Sequence, residues 1–174
     1  MACLQTLKGL AKPCNLSNSG GIKKVYIANF EDIASVTTDE NGVITTIEMV
    51  GEAKFYPYWF RKNTGSLTQT FTSNENGSNY VTSVLTLVFD RMESVKRMQV
   101  QALAQGELAV IVEDVNGEMY FLGEDSPVTK TEGVGATGTA RTDKNSYDVT
   151  LSCDSNEYPK FVSMELTSIV AEIA

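Results

Sequence analysis

The residues with the most evident capacity for chemistry are carboxylates grouped near one predicted turn: Glu113, Asp114, Glu118, Glu124 and Asp125. Paired carboxylates can serve as the acid and base of glycoside hydrolysis, and carboxylate oxygens can bind calcium. The spacing of an EF-hand calcium loop is absent, and acidic residues at hairpin tips favour solubility. We therefore interpret the cluster as surface charge, and we predict neither a metal nor a cofactor.

Other sources of chemistry are scarce in this sequence. It contains no histidine, the residue that most often acts as general base or metal ligand. Cys3, Cys14 and Cys153 form no CxxC pair, which favours reduced structural thiols. The glycine-rich residues 131–142 match neither phosphate-binding glycine pattern, so they predict a loop or an irregular edge strand. We predict that the protein is not an enzyme.

Composition limits the remaining classes. The chain has 174 residues, 42% of them hydrophobic, which suffices for one core. A formal net charge of −8 argues against a nucleic-acid binder with a basic patch, although an acidic wall lets a polyanion slide past without sticking. No apolar run approaches the length of about 18 residues that spans a membrane, and the first residues lack the apolar stretch of a secretion signal. These features predict synthesis in the cytoplasm and no membrane contact.

The chain is organised around residues 66–105, and the first part of this stretch, residues 66–89, has the pattern of a hairpin. Two runs of alternating residues flank the turn-forming residues 74–78, which predicts a β-hairpin. On the second strand, one face is suited to a core: Val81, Ser83, Leu85, Leu87 and Phe89. The opposite face is half threonine. A two-stranded ribbon is marginal in water, so the hairpin requires neighbouring strands from its own chain or from other copies.

A helix is predicted at about residues 91–105, directly after the hairpin. Asp90 is a suitable N-cap, and Glu93 completes a capping-box pattern. Val95, Met98 and Ala102 follow helical spacing, so we expect them to face the sheets.

The other segments give an all-antiparallel arrangement. Residues 33–38 and 43–50 predict one hairpin, residues 107–115 and 118–122 predict another with Asn116–Gly117 as a two-residue turn, and residues 160–174 predict a strand and a short helix. Residues 1–21 form an N-terminal arm, and 22–174 form a single β-rich domain. The predicted fold is mainly β: a sandwich or barrel of about eight or nine antiparallel strands with one packed helix.

An aromatic run, Tyr56, Tyr58 and Trp59, interrupted by Pro57, predicts an edge strand. Such a cluster can stack on sugars or bases, which keeps a carbohydrate-binding sandwich open as an alternative. Aromatic residues are also enriched in cores and subunit contacts, and the few flanking charges favour packing between subunits.

Three features together resemble the phage tail-tube proteins, the major tail protein family. They are a single short helix among antiparallel sheets, a long threonine-rich hairpin leading into that helix, and a glycine–threonine stretch (137–139) followed by a strand (147–151) and Pro159. The resemblance is one of architecture and covers most of residues 25–165.

The resemblance implies a virion structural protein whose copies form rings, hexameric by analogy, that stack into a tube through which DNA passes without specific binding. Neighbouring virion proteins would be further partners, and the protein would reside in the virion tail after synthesis in the host cytoplasm. The uncharged, threonine-rich side of the central hairpin would line the lumen through Thr68, Thr70, Thr72, Thr82 and Thr86. Tyr56, Tyr58 and Trp59 would lie between subunits. A head–tail connector or adaptor remains an alternative with the same composition.

Overall fold

The computed structural model describes residues 9–10 and 19–172, and most of the predicted N-terminal arm, with Cys3 and Cys14, lies outside them. The described part contains ten strands in three antiparallel sheets and one α-helix, which confirms the predicted fold class. The elements are β1 (Ile22–Asn29), β2 (Ile33–Thr38), β3 (Ile44–Met49), β4 (Tyr56–Tyr58), β5 (Ser66–Ser73), β6 (Asn79–Asp90), α1 (Ser94–Gln105), β7 (Leu108–Asp114), β8 (Met119–Leu122), β9 (Thr129–Ala136) and β10 (Ser146–Ser155).

Two four-stranded sheets form the body of the protein. The first sheet has the order β4-β1-β7-β8, and the second has the order β5-β6-β10-β9. The sheets contribute Val25, Val110, Leu85 and Leu151 to one shared core, in which all four side chains are fully buried. The predicted apolar face of β6 is confirmed, because its residues from Val81 to Phe89 at every second position lie in the interior.

The first sheet is buried on both of its faces. Its far face packs against the β2–β3 hairpin and against the C-terminal segment 160–171, in a second core that includes Ile44, Phe55, Ile111 and Phe121. A strand covered on both faces reads as a continuous apolar run rather than an alternating one. This explains why β1 and the first part of β7 carry apolar side chains in both directions.

Three local predictions need correction. Alternation along residues 43–50 predicts that Ile44 and Ile47 face opposite sides of β3, but both are buried, because an irregularity in the β2–β3 pairing breaks the alternation near Thr45. The loop between β7 and β8 has three residues, since Asp114 N donates to Glu118 O, and Gly117 supplies the positive φ of 92° that this loop requires. Residues 160–171 form single bridges and one 3₁₀ turn, Leu166–Ser168, in place of the predicted strand and short helix.

The helix prediction was correct in type but wrong in its start and its buried face. Strand β6 continues through Asp90, and the helix begins at Ser94 with Glu93 as an N-cap that makes no side-chain hydrogen bond. Arg91, with a left-handed φ of 64°, turns the chain between the two elements. The capping box at Asp90 therefore does not form.

The helix is rotated relative to the predicted stripe. Val95 and Met98 are 67% and 63% exposed, whereas Leu103 is buried and Val100 packs beside it. Lys96 Nζ donates to the backbone oxygen of Asp90 at 2.6 Å, which turns this residue toward the sheet. Neighbouring helical positions differ by about 100° around the axis, and the face turned to the core is the one that carries Lys96, Val100 and Leu103.

The rotation gives a stability prediction. Replacing the buried Leu103 by alanine should lower the free energy of unfolding by about 2–4 kcal/mol through lost burial and a residual cavity. The matched change Val95→Ala, and also Val95→Asp, should alter it by no more than about 0.5 kcal/mol because Val95 contacts solvent. Urea unfolding followed by circular dichroism measures both. A larger effect from Val95→Ala than from Leu103→Ala would contradict the observed packing.

Candidate functional site

The outer face of the second sheet is rich in hydroxyl groups, with Val84 and Val88 among them. Thr70 lies opposite Thr82 across the β5–β6 ladder, and Thr86 lies between Ser66 on one side and Thr150 on the other. All five threonines predicted to line a lumen are on this one face and are exposed or half-buried: Thr68, Thr70, Thr72, Thr82 and Thr86. We call this surface the hydroxyl face.

Strand β10 extends the hydroxyl face with residues that the sequence prediction missed. Thr150 and Ser152 continue the rows that begin on β5 and β6. Residues 146–153 alternate, with Tyr147, Val149, Leu151 and Cys153 on one side, so the positions between them were the available signal. What the sequence did not reveal is that β10 pairs with β6, because the two strands are far apart in the chain.

The charges on the hydroxyl face of β6 and β10 are acidic or neutralised. Asp154 accepts a hydrogen bond from Thr82 Oγ1 at 2.6 Å. Partial burial tends to raise the pKa of Asp148, but hydrogen bonds from Lys144 and Ser146 outweigh that effect and hold the pKa below its ordinary value. Asp148 is therefore ionised at neutral pH and paired with Lys144. Strands β6 and β10 contain no lysine or arginine, so neither strand adds a basic side chain to this face.

Both edges of the second sheet are open in the described part of the chain. Strands β5 and β9 lie at its two ends, and within residues 19–172 neither has a second pairing partner. The first sheet differs, because Phe121 N donates to Lys160 O and Val162 N donates to Met119 O along its β8 edge. Residues 66–73 carry no charge. An uncharged open edge is a surface on which another strand can pair.

The direction of the free backbone groups on β5 follows from its hairpin. Asn74 N donates to Ser78 O at 3.0 Å, and hydrogen-bonded and non-hydrogen-bonded pairs alternate along an antiparallel ladder. Thr70 and Thr82 therefore exchange backbone bonds, whereas Gln69 and Phe71 direct their N–H groups away from β6. The outward donors of β5 belong to the odd-numbered residues.

The aromatic run lies beside the helix rather than on a flat platform. Strand β4, which contains Tyr56 and Tyr58, is an edge strand of the first sheet, as Pro57 predicted. The Tyr58 ring is partly buried against Phe89, with centroids 6.1 Å apart, and its hydroxyl donates to Gln99 Oε1 at 3.1 Å. Burial, and secondarily Tyr56, raises the pKa of Tyr58, so its phenol is neutral at physiological pH.

Tyr56 and Trp59 remain open to solvent. They are 58% and 63% exposed, and the ammonium group of Lys24 lies 5.1 Å from the centre of the Trp59 ring. Together with Tyr58, Val95 and Val100 they border an apolar groove of about 690 Å³ between β4 and α1. We call it the β4–α1 groove. Its lining is mostly aromatic and aliphatic, with Lys96 and Gln99 among the lining residues, which suits an apolar side-chain ligand.

The acidic residues singled out from the sequence have separate structural roles. Glu113 pairs with Lys23, Asp114 accepts the backbone N–H of Glu118 within the β7–β8 loop, and Glu124 pairs with Lys160. Asp125 accepts hydrogen bonds from Asn156. Among residues 9–10 and 19–172, no group of three or more acidic or cysteine side chains has the geometry to hold a metal ion.

Cys153 lies in the core between the two sheets. Its side chain is buried on β10, and burial, with a smaller contribution from the charge of Asp154, raises the pKa of its thiol to about 11. A neutral buried thiol is a poor nucleophile, so Cys153 acts as an apolar core residue.

In the described segments, no helix is both long enough and apolar enough to cross a membrane.

Comparisons of the sequence with known proteins gave no match. No protein-family model matches the chain, and no curated protein matches it in sequence.

The raised pKa of Cys153 predicts a loss of stability at high pH. The thiol is neutral in both states well below its ordinary pKa of 9.0, so it contributes no pH dependence there. Between pH 9 and about 11 the unfolded chain ionises while the folded chain does not, so the free energy of unfolding falls as pH rises. Urea unfolding across this range should show a smaller decline for Cys153→Ala than for the wild type. Equal declines would contradict a buried neutral thiol.

Proposed function

We propose that the protein is a structural subunit of a virion tail, whose copies join through the second sheet into rings that stack as a tube around passing DNA. The observation that carries the proposal is the second sheet itself: four strands, two open edges and an outer face of hydroxyl groups. These features favour self-association, and other virion proteins would bind at the ends of the assembly.

The strand count suits a continuous sheet. Strands β5, β6, β10 and β9 alternate in direction, so β9 of one copy and β5 of the next run antiparallel when placed side by side. The two edges also match in length, since each has eight residues. A head-to-tail contact of this kind closes into a ring when the rotation per copy divides the circle, and the closed ring leaves no exposed edge.

Simple geometry gives the size of such a ring. Six copies of a four-stranded sheet, with about 4.8 Å between strands, give a circumference of about 115 Å and a barrel about 37 Å across, before strand tilt widens it. Side chains occupy about 5 Å on each wall, which leaves a passage of about 27 Å. Double-helical DNA fits within that width, whereas a ring of three copies would be too narrow.

The chemistry of the hydroxyl face suits a conduit rather than a binding site. Proteins that hold DNA use lysine and arginine to neutralise phosphates, and this attraction dominates their affinity. Threonine and serine side chains offer hydroxyl groups to water, and Asp154 adds negative charge, whereas Asp148 is paired with Lys144. DNA would meet a wet surface that does not retain it.

A proline on β5 tests the edge contact. Gln69→Pro removes a backbone N–H that points away from β6, so it should leave the β5–β6 ladder and the fold intact while removing a donor needed by the neighbouring copy. We expect sedimentation and electron microscopy to show rings and tubes for the wild type and at least a tenfold loss of assembled material for Gln69→Pro.

Two controls make the result specific. Gln69→Ala removes the same side chain but keeps the N–H, and it should assemble like the wild type. Thr70→Pro interrupts the internal ladder and should also lower the melting temperature. If the wild type stays monomeric at high concentration, or if Gln69→Pro assembles as well as Gln69→Ala, the proposal is wrong. Rings that never stack would favour a connector or adaptor instead of a tube.

A further inference from the structure

The β4–α1 groove is an apolar surface that one copy of the described chain leaves uncovered. Exposed apolar side chains border it on both sides: Tyr56 and Trp59 from the β4 region, and Val95 from the helix. Met98, on the outer side of the same helix, is 63% exposed and extends the apolar surface. Monomeric proteins rarely leave an apolar surface of this kind in contact with water unless a ligand or another protein covers it.

The N-terminal arm carries apolar residues of its own. Leu4, Leu7 and Leu10 recur at every third position, and the one of these that the structure describes, Leu10, is fully exposed. The arm contains Lys8 and Lys12 but no acidic residue, whereas the chain as a whole has a net charge of −8. Opposite charge therefore favours contact between the arm and the body of a protein copy.

The arm is long enough to reach a groove. It joins the body at Ser19, next to the start of β1, and Val25 on β1 pairs with Tyr58 at the groove. The six residue-to-residue steps from Ser19 to Val25 span about 20 Å, and the eight residues 11–18 can extend over about 27 Å. The leucines can thus reach the groove of their own chain or that of an adjacent copy.

We propose that the leucines of the N-terminal arm dock into the β4–α1 groove of a neighbouring copy. A chain that carries both an apolar arm and an apolar groove left open among its described residues can form a head-to-tail contact, in which each copy gives its arm to the next. The inference rests on the proposed self-association. It adds a second contact, independent of the pairing of sheet edges.

Trp59 makes the docking measurable. It is the only tryptophan in the chain and borders the groove, so its emission reports directly on the occupant. The reporter is a full-length variant with an intact groove and a disabled arm, Leu4→Ser, Leu7→Ser and Leu10→Ser. The donor is a full-length variant with an intact arm and a silent, disabled groove, Trp59→Phe and Val95→Asp. Both also carry Gln69→Pro, which blocks the pairing of sheet edges.

We expect the donor to shift the Trp59 emission of the reporter to shorter wavelength and to reduce acrylamide quenching at least threefold, with saturation as the donor concentration rises. A donor that also carries the three arm substitutions is the matched control and should have no effect. Equal effects from the two donors, or no effect from either, would overturn the proposal.

Two further outcomes separate this inference from the proposed function. If the wild type forms tubes in which acrylamide still quenches Trp59 freely, the arm does not occupy the groove although the tube is real. If Trp59 is protected in the wild type at every concentration, down to the monomer, the arm fills its own groove and the contact between copies is wrong. Protection that appears with concentration but without rings or tubes would support arm docking and contradict the tube.

Discussion

The structure depends on the burial of one sheet from both sides. Successive residues of β7, such as Val110 and Ile111, point into two different cores, so β7 links the second sheet on one side to the β2–β3 hairpin and the C-terminal segment on the other. The apolar side chains of β1 and β7 pack into the two cores on either side of this central layer. This packing also fixes which surfaces of the second sheet remain free.

The second sheet is covered on one face only, and its two outer strands differ in chemistry. Strand β5 is uncharged, whereas β9 is rich in glycine. At Gly135, a Cβ atom would lie 3.0 Å from the Tyr147 ring and 3.1 Å from Met92. Because Gly135 has no side chain, Tyr147 and Met92 can pack against its backbone. Strand β9 lacks a side chain at Gly133 and Gly135, and β5 carries no charge, which lowers the steric and electrostatic obstacles to strand pairing.

The sequence predicted those features that depend on local patterns. The hairpin at 66–89, the edge strand at Pro57, the glycine-rich edge strand and the buried face of β10 all follow from alternation and turn residues. It did not predict the rotation of α1, because apolar residues follow helical spacing on two sides of this helix, and the local pattern does not show that Val100 and Leu103 face the core. Nor could it reveal the β4–α1 groove, which arises only when two segments about 40 residues apart meet with their apolar side chains facing outward.

The alternating directions within the second sheet have a consequence for any assembly built from it. The turn at residues 74–78 lies at one end of the strands, whereas the β6–α1 junction and the loop 137–145 lie at the other. Copies joined edge to edge in the same orientation would place every such turn on one rim and every helix start on the opposite rim. The resulting structure is polar along its axis: its two ends differ chemically, so initiation and termination can be assigned to different partners, and growth has a direction set by the strand order of a single subunit.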